Sequence, residues 1–448
     1  EMCIRDRIYS PYDIVDFDKR RTNKGVVLME KVQSYDVVVV GGGAAGIAAA
    51  VGAAQAGAAC LLVERNGSLG GQATNANVAS YCGFFTHSNP PQQIVRGVGQ
   101  QVLELLHELG AYDGYRLSSV QNAIVTLDEE ALKYALDLLV QRYSGLKVLL
   151  HCRMISAQTS PDGSIQSIHC VDDEGTYEFR AKAFVDASGD GNLAHLAGAE
   201  LRFGDGAGGG YLSTKMMRLD HVGLEAKFAP AVLEEAIQRA KAEGFHRLTK
   251  ESGIVFRTAP DTAYAILPSV AVPALDAETL TACEMNTRAQ CQEYVAAFRK
   301  YLPGMEHCRL VSSGYKLGIR DTRHLVGEHI LTAEEVLGAV KQPDTIARGA
   351  WPCEMHTDIN RMADYLWVKD DGYYDIPLRC LKSRSTANLW GAGRLVSADA
   401  VAFASVRVMG IGFATGQAAG VAAAFLAAGR GTPVSEIQAE LRRQGACI

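Results

Sequence analysis

The chain has 448 residues, 48% hydrophobic and 21% charged, ordinary values for a soluble globular enzyme with room for two or three domains. Its formal net charge of −6 argues against a nucleic-acid partner, which needs clustered positive charge; the one dense basic stretch, at residues 19–24, reads as a solvated arm. Eleven cysteines with no CxxC pair, and histidines with neither HExxH nor HxH, exclude thioredoxin-like pairs and the usual zinc spacings, so no metal site is expected.

Residues 1 to about 30 are set aside from fold reasoning. Their opening, Glu1-Met2-Cys3-Ile4-Arg5-Asp6-Arg7, resembles translated sequencing-adapter sequence, and a native leader lost there is left open. Residues 1–33 are therefore expected to be a terminal arm. The first strong element is the β-branched run at 35–40, of the kind found in strands buried on both faces. A glycine turn follows at 41–46, then a small-residue helix to about Ala56, with Gly57 as its C′ glycine. A second strand at 60–63 ends at Glu64 and completes a βαβ unit of about 30 residues.

Helices are predicted over 98–109, with Val98, Val102, Leu105, Leu106 and Leu109 on one stripe, and over 129–143, with Asp128 as N-cap. Three short strands near 147–157, 164–172 and 176–180 are separated by good turns, and a buried strand at 183–186 leads into Ala187-Ser188-Gly189-Asp190. Residues 203–370 open on a glycine-rich stretch and become more helical and charged; Thr332 and Glu335 form a capping box there. Beyond 370, a strand at 388–390 runs into Gly391-Ala392-Gly393-Arg394, and a Gly/Ala helix extends to about Ala428. The last helix starts at Thr432-Pro433, a cap followed by an N1 proline. The uncharged runs 37–62 and 408–429 read as strand–turn–helix and buried helix rather than membrane spans.

The expected fold class is α/β. A Rossmann-like three-layer nucleotide-binding domain with a β-meander occupies 34–202 and 371–448, and an α+β substrate or cap domain is inserted at 203–370.

Gly41-Gly42-Gly43-Ala44-Ala45-Gly46 matches G-x-G-x-x-G with a strand before it and a helix after it. Gly41 permits the tight turn, Gly43 clears the pyrophosphate, and Gly46 lets the helix pack on the strand. Glu64 stands at about the 20-residue spacing of a ribose-binding acid. These features alone fit NAD or FAD.

The run Glu64-Arg65-Asn66-Gly67-Ser68-Leu69-Gly70-Gly71-Gln72-Ala73-Thr74 separates the two. It resembles the E-R…G-G-x-A-T continuation of flavoproteins with the glutathione-reductase-type fold, in the branch containing fumarate reductase flavoproteins. It is especially similar to the bacterial family called FAD-dependent oxidoreductases. Three later segments resemble the same group: residues 185–190, residues 315–323 with an arginine motif, and residues 389–420 with Gly393-Arg394 and Thr415-Gly416-Gln417. The likeness spans roughly 34–430 and is weak over 205–300; Ala44-Ala45 stands where the family often has proline.

The resemblance implies FAD as cofactor, contacted by Gly41, Gly43, Ala44, Ala45, Gly46, Glu64, Arg65, Gly71, Gln72, Ala73, Thr74, Ala187, Ser188, Gly189, Asp190, Gly393, Arg394, Gly416 and Gln417. It implies a flavin-dependent oxidoreductase that passes hydride to or from a small organic substrate, with an unidentified electron acceptor or donor. Arg320 and Arg323, three apart and on one face if helical, are candidates for a carboxylate or oxyanion clamp. His87 and His356 are candidates for proton transfer, with His324 a further histidine in a family-like segment; Cys82 reads as a packed cysteine. A cytoplasmic location is expected from the cysteine usage. Association with further copies is left open, as are a plain NAD-dependent dehydrogenase and a flavin-binding lyase or other non-redox protein.

Overall fold

The computed structural model describes residues 31–448. The terminal arm expected at 1–33 therefore lies outside the described residues, except for Lys31, Val32 and Gln33, which open the first strand.

β1 (Lys31–Val40), α1 (Ala44–Gln55) and β2 (Cys60–Val63) form the expected βαβ unit, with β1 and β2 parallel and Val37 opposite Cys60. β3 (Leu146–Leu149), β4 (Arg153–Thr159), β5 (Ile165–Asp172), β6 (Gly175–Asp186) and β7 (Leu389–Gly391) complete a seven-stranded sheet. β3, β2, β1 and β6 lie side by side in parallel. The far edge of β6 has two partners. β7 runs parallel along its C-terminal end, and the meander of β5 and β4 pairs antiparallel with its N-terminal half. The strands expected separately near 176–180 and 183–186 are thus one 12-residue strand. Its alternating half faces the meander and its apolar half lies in the parallel sheet, which made it read as two.

Alternate residues of the parallel strands enter different cores, as a period of two requires. Val37, Val39, Leu62 and Val185 face the helices, while Val38, Val40, Leu61 and Phe184 face the meander side. Helices, parallel sheet and meander make the three layers. On the helical side α2 (Met409–Ala427) lies along α1. A Cβ at Gly416 would stand 2.0 Å from Ala45 O, and one at Gly420 would stand 1.9 Å from Ala49 O. The two backbones touch there, so only glycine fits. α2 is long and apolar enough to cross a membrane, yet 83% of its apolar window is buried inside the protein.

The predicted caps hold at the helix Glu129–Gln141, where Asp128 accepts from Glu130 N and Ala131 N, and at Ala333–Leu337, where Thr332 and Glu335 form the capping box. Three expectations shift. Leu109 is the exposed C-cap of the helix Val98–Glu108 rather than part of its stripe. The long Gly/Ala helix is interrupted: Ala400–Val406, capped by Asp399, stops before α2. Pro433, not Thr432, occupies the N-cap of Val434–Arg443.

Within 203–370 the packing divides. The strands Ile254–Ala259, Thr262–Val270, Ser213–Asp220 and Arg309–Ser313 form an antiparallel sheet in that order, covered by the helices Pro230–Ala242 and Ala277–Tyr301. Met217, Leu233, Ile237, Leu267, Tyr294 and Phe298 belong to a core of its own. Leu331, Val336, Ile346, Trp351 and Val368 instead join the main helical core.

Candidate functional site

The C-terminal ends of β1, β2, β6 and β7 converge on one cavity of about 630 Å³, at the place where open α/β sheets take their ligands. Val40 and Gly41, Val63 and Glu64, Ala187, and Ala392 with Gly393 bring those four strand ends to its wall. Gly41 has φ of +104°, and a Cβ there would meet Ala187 O at 2.5 Å. Gly43 has ordinary extended backbone, and the nearest atom to an added Cβ is Gly71 Cα at 3.7 Å. Its missing side chain therefore clears space in the cavity rather than relieving strain. Ala44 and Ala45 line the cavity at the start of α1, whose N-terminal dipole favours negative charge. Gly46 does not line it; a Cβ there would stand 1.7 Å from Gly41 O, so it serves packing.

Glu64 is buried, accepting from Gly42 N at 2.7 Å and Asn66 N at 2.8 Å, so it ties the turn to β2 as well as lining the cavity. Arg65, Gly71 and Gln72 line the wall. Ala73 and Thr74 do not: Ala73 is fully buried in the core, and Thr74 Oγ1 donates to Leu69 O at 2.7 Å. Ala187, Ser188, Gly189 and Asp190 all reach the cavity, as do Gly393 and Arg394. Arg394 Nη2 donates to Asp190 Oδ1 at 2.9 Å, and Thr322 Oγ1 donates to the same oxygen at 3.0 Å. Burial works to raise the Asp190 carboxyl, but the charge and hydrogen bond of Arg394, with Arg65 and Thr322, hold it below the usual range.

Gly416 and Gln417 stand elsewhere. Gly416 packs against Ala45 as described, while Gln417 Oε1 accepts from Val98 N at 3.1 Å and its Nε2 donates to Gln444 Oε1. The α2 residues on the cavity wall are Met409 and Gly412, about one turn earlier, so the helix presents its N-terminus there.

Arg320 and Arg323 do not share a helical face. Gly318 pairs with Thr214, and Arg323 opens a short strand against Leu201–Phe203, so the segment is extended. Both side chains line the cavity but diverge: Arg323 Nη1 donates to Asp190 O at 3.3 Å, and Arg320 Nη1 donates to Leu212 O at 2.7 Å. His87 is not on the wall; its ring lies 4.3 Å from that of Trp367 and its Nδ1 is 3.1 Å from Asn122 Oδ1. His324 is buried against Asp321 and Phe403. Cys82 does line the cavity, with its thiol pushed up to about 12 by burial, so it stays protonated.

His356 lies at the Arg320 side of the cavity with Glu354 and Arg407. Glu354 accepts from Trp351 Nε1 at 3.0 Å and Tyr365 OH at 3.2 Å, and it faces His356 Nε2 at 3.2 Å. Burial, with the charge of Arg320, pushes His356 down to about 4 against the pull of Glu354. Burial opposes ionisation of Glu354 too, but the His356 hydrogen bond and the charges of Arg407 and Arg320 keep it well below the carboxylate range. At neutral pH the pair is a carboxylate beside a neutral imidazole. Arg407 Nη2 donates to Glu354 O at 3.1 Å. Glu354 and the wall residues Arg153 and Met154 come from segments whose sequence carries no local signal for this role, whereas Lys316 lies in the family-like run 315–323.

A family model described as FAD dependent oxidoreductase matches residues 36–444. The chain belongs to this family. No curated protein sequence matches it. Solved structures of similar chain path include a geranylgeranyl bacteriochlorophyll reductase-like protein from Thermoplasma acidophilum, 14% identical over 92% of this chain and 84% of that one, TM-score 0.46. Another is GidA from Aquifex aeolicus, 13% identical over 89% and 64%, TM-score 0.47. A third is CabE, an aromatic hydroxylase from angucycline biosynthesis, 12% identical over 92% and 66%, TM-score 0.48. At such values these likenesses carry no argument about chemistry.

The cofactor of this FAD dependent oxidoreductase is FAD, and the wall of the cavity fits it. Among the described residues, Gln72 Oε1, Asn75 Nδ2, Arg394 Nη1 and Arg407 Nε are buried polar atoms without a hydrogen-bond partner, and all four residues line this cavity. Each such atom costs about 1–3 kcal/mol if left unpaired, so the wall is built for a polar ligand. The clearance at Gly43 suits a diphosphate.

Proposed function

We propose that this flavoprotein oxidises or reduces a small organic substrate beside Arg320, Arg407, Glu354 and His356. Bound FAD supplies the hydride acceptor or donor there, and a separate electron partner restores it. The observation that carries the reading is the convergence of these four side chains on the cavity that α2 enters with its N-terminus.

Gly41, Gly43, Ala44 and Ala45 are assigned to the diphosphate, Glu64 and Arg65 to the ribose end, and Gly71, Gln72 and Asn75 to the middle of the cofactor. Ala187, Ser188, Gly189, Asp190, Gly393 and Arg394 are assigned to its other side, with Met409 and Gly412 toward the flavin. Arg320 and Arg407 orient the substrate by charge. His356, neutral at working pH, exchanges a proton at a ring nitrogen, and Glu354 fixes that ring while Trp351 and Tyr365 fix Glu354.

We place the protein in the fumarate reductase flavoprotein-like branch on the motifs at 64–74 and 315–323. The FAD domain is assigned to 34–202 and 371–448 and the cap to 203–370, with the separate core of 213–313 supporting the cap's independence. Every cysteine among the described residues is a free thiol, which supports a reducing, cytoplasmic setting.

The test is an anaerobic screen of organic acids, alcohols and amines for bleaching of the oxidised flavin band. A compound that bleaches the wild type should do so at least about a hundredfold more slowly in Arg320→Met and His356→Gln. Equal rates in both variants would remove this cluster from the chemistry.

A further inference from the structure

A side chamber of about 70 Å³ adjoins the cavity and shares Thr214, Ile266, Arg320, Glu354 and His356 with it. It has room for a few water-sized groups and no more. Its remaining wall includes Lys250, Ser252, Ser269 and Tyr365, and Lys250 lines this chamber but not the main cavity.

Lys250 is 7% exposed. Its Nζ donates to Asp358 O at 3.1 Å and to Arg361 O, which leaves one of three ammonium protons uncommitted. Arg320, which lines both the chamber and the main cavity, commits Nη1 to Leu212 O. The positive charge here is under-compensated. Burial and Arg320 push Lys250 down to about 8, and burial and Arg407 push Arg320 down to about 10. Among the described residues Glu354 is the one acid on the chamber wall, and its oxygens already serve Trp351, Tyr365 and His356. Asp358 pulls weakly the other way, but it is exposed and its carboxylate accepts from Asn360 N.

We propose that this chamber binds a carboxylate of the substrate between Arg320 and Lys250, making Lys250 a specificity-determining residue while the reacting carbon stays in the main cavity. The proposal rests on the reading that the reaction takes place beside Arg320. A carboxylate matches the guanidinium fork in plane and in number of acceptors. A tetrahedral anion would need further donors, and the hydroxyls of Thr214, Ser252 and Ser269 already donate to Pro268 O, Pro230 O and Leu267 O.

The experiment titrates the FAD-loaded protein with propionate, succinate and glutarate, with the corresponding amides, and with sulfate. It reads the perturbation of the flavin spectrum and the thermal midpoint. At least one carboxylate should bind tenfold or more tightly than its amide and than sulfate. Lys250→Met should weaken it about tenfold or more and Lys250→Arg should retain it, with flavin content unchanged in both. Amides or sulfate binding as well as carboxylates, no carboxylate binding at all, or unchanged affinity in flavin-loaded Lys250→Met would each overturn the proposal. Should Lys250→Met fail to fold, Lys250→Arg and the carboxylate–amide contrast on the wild type still decide it. Lys250-dependent carboxylate binding that leaves the flavin spectrum untouched would keep the chamber and overturn the adjoining reaction site. A flavin-bleaching substrate without a carboxylate, insensitive to Lys250→Met, would do the reverse.

Discussion

Replacing Arg394 with Met strands the Asp190 carboxylate in a site where both side chains are nearly buried, at 12% and 11% exposure. Removing one member of a buried pair typically costs about 3–5 kcal/mol. The Thr322 hydroxyl and the Arg65 charge stay near Asp190, which puts the expected loss at the lower end, about 3 kcal/mol. Converting Asp190 to Asn in the same chain removes the stranded charge. Because single and double variants both lack Arg394, the loss of its contact to the cofactor cancels between them. The double variant should therefore recover most of the deficit in guanidinium unfolding at pH 7. The pH dependence has a definite sign. In the wild type Asp190 is held below its unfolded value of about 3.9, so its stabilisation is present above that pH and is lost as pH falls through the folded value. In Arg394→Met, burial without the arginine raises Asp190 instead. The deficit then grows as pH rises above about 4 and shrinks on acidification. Single and double variants within about 0.5 kcal/mol of each other at pH 7 would refute this account of the pair.

Gly420→Ala gains about 1 kcal/mol of helix propensity, but its Cβ would lie 1.9 Å from the backbone oxygen of Ala49, which cannot rotate away. Overpacking of about 1–3 kcal/mol should win, lowering the thermal midpoint; a raised midpoint would contradict the backbone-to-backbone contact of α1 and α2. Gln417→Leu leaves Val98 N–H without its acceptor and should cost about 1–3 kcal/mol in unfolding experiments while flavin content stays unchanged; lost flavin would restore Gln417 to the cofactor wall. His87→Ala should keep turnover of any substrate found within about twofold, since the ring packs beside Trp367 and is not on the cavity wall; a loss beyond tenfold would return it to the chemistry.

What was legible in the sequence is what backbone geometry alone demands. The turn from Gly41 to Gly46, the β-branched strands and the caps at Asp128 and Thr332 each carry their reason within a few residues. Three-residue spacing did not determine the shape of the Arg320 segment, because its pairing with Thr214, over a hundred positions away, holds it extended. Gly416 and Gln417 lie in a family-like helix, but the α1–α2 contact takes their face and leaves Met409 and Gly412 to the cavity. Lys250, Glu354 and Tyr365 reach Arg320 only through the tertiary crossing of separate segments. No local pattern marks such residues.

Occupancy by FAD of the cavity beside Gly43 is decided by comparing the wild type with Gly43→Val. Gly43 has backbone angles open to any residue and no atom nearer than 3.7 Å to its added Cβ, so the variant should fold while its side chain fills cofactor space. Purified protein is examined by absorbance, acid release of the nucleotide, and circular dichroism. One FAD per wild-type chain and a folded, colourless Gly43→Val are expected. Stoichiometric FAD in the variant, or a wild type that takes up no flavin on reconstitution, would contradict it.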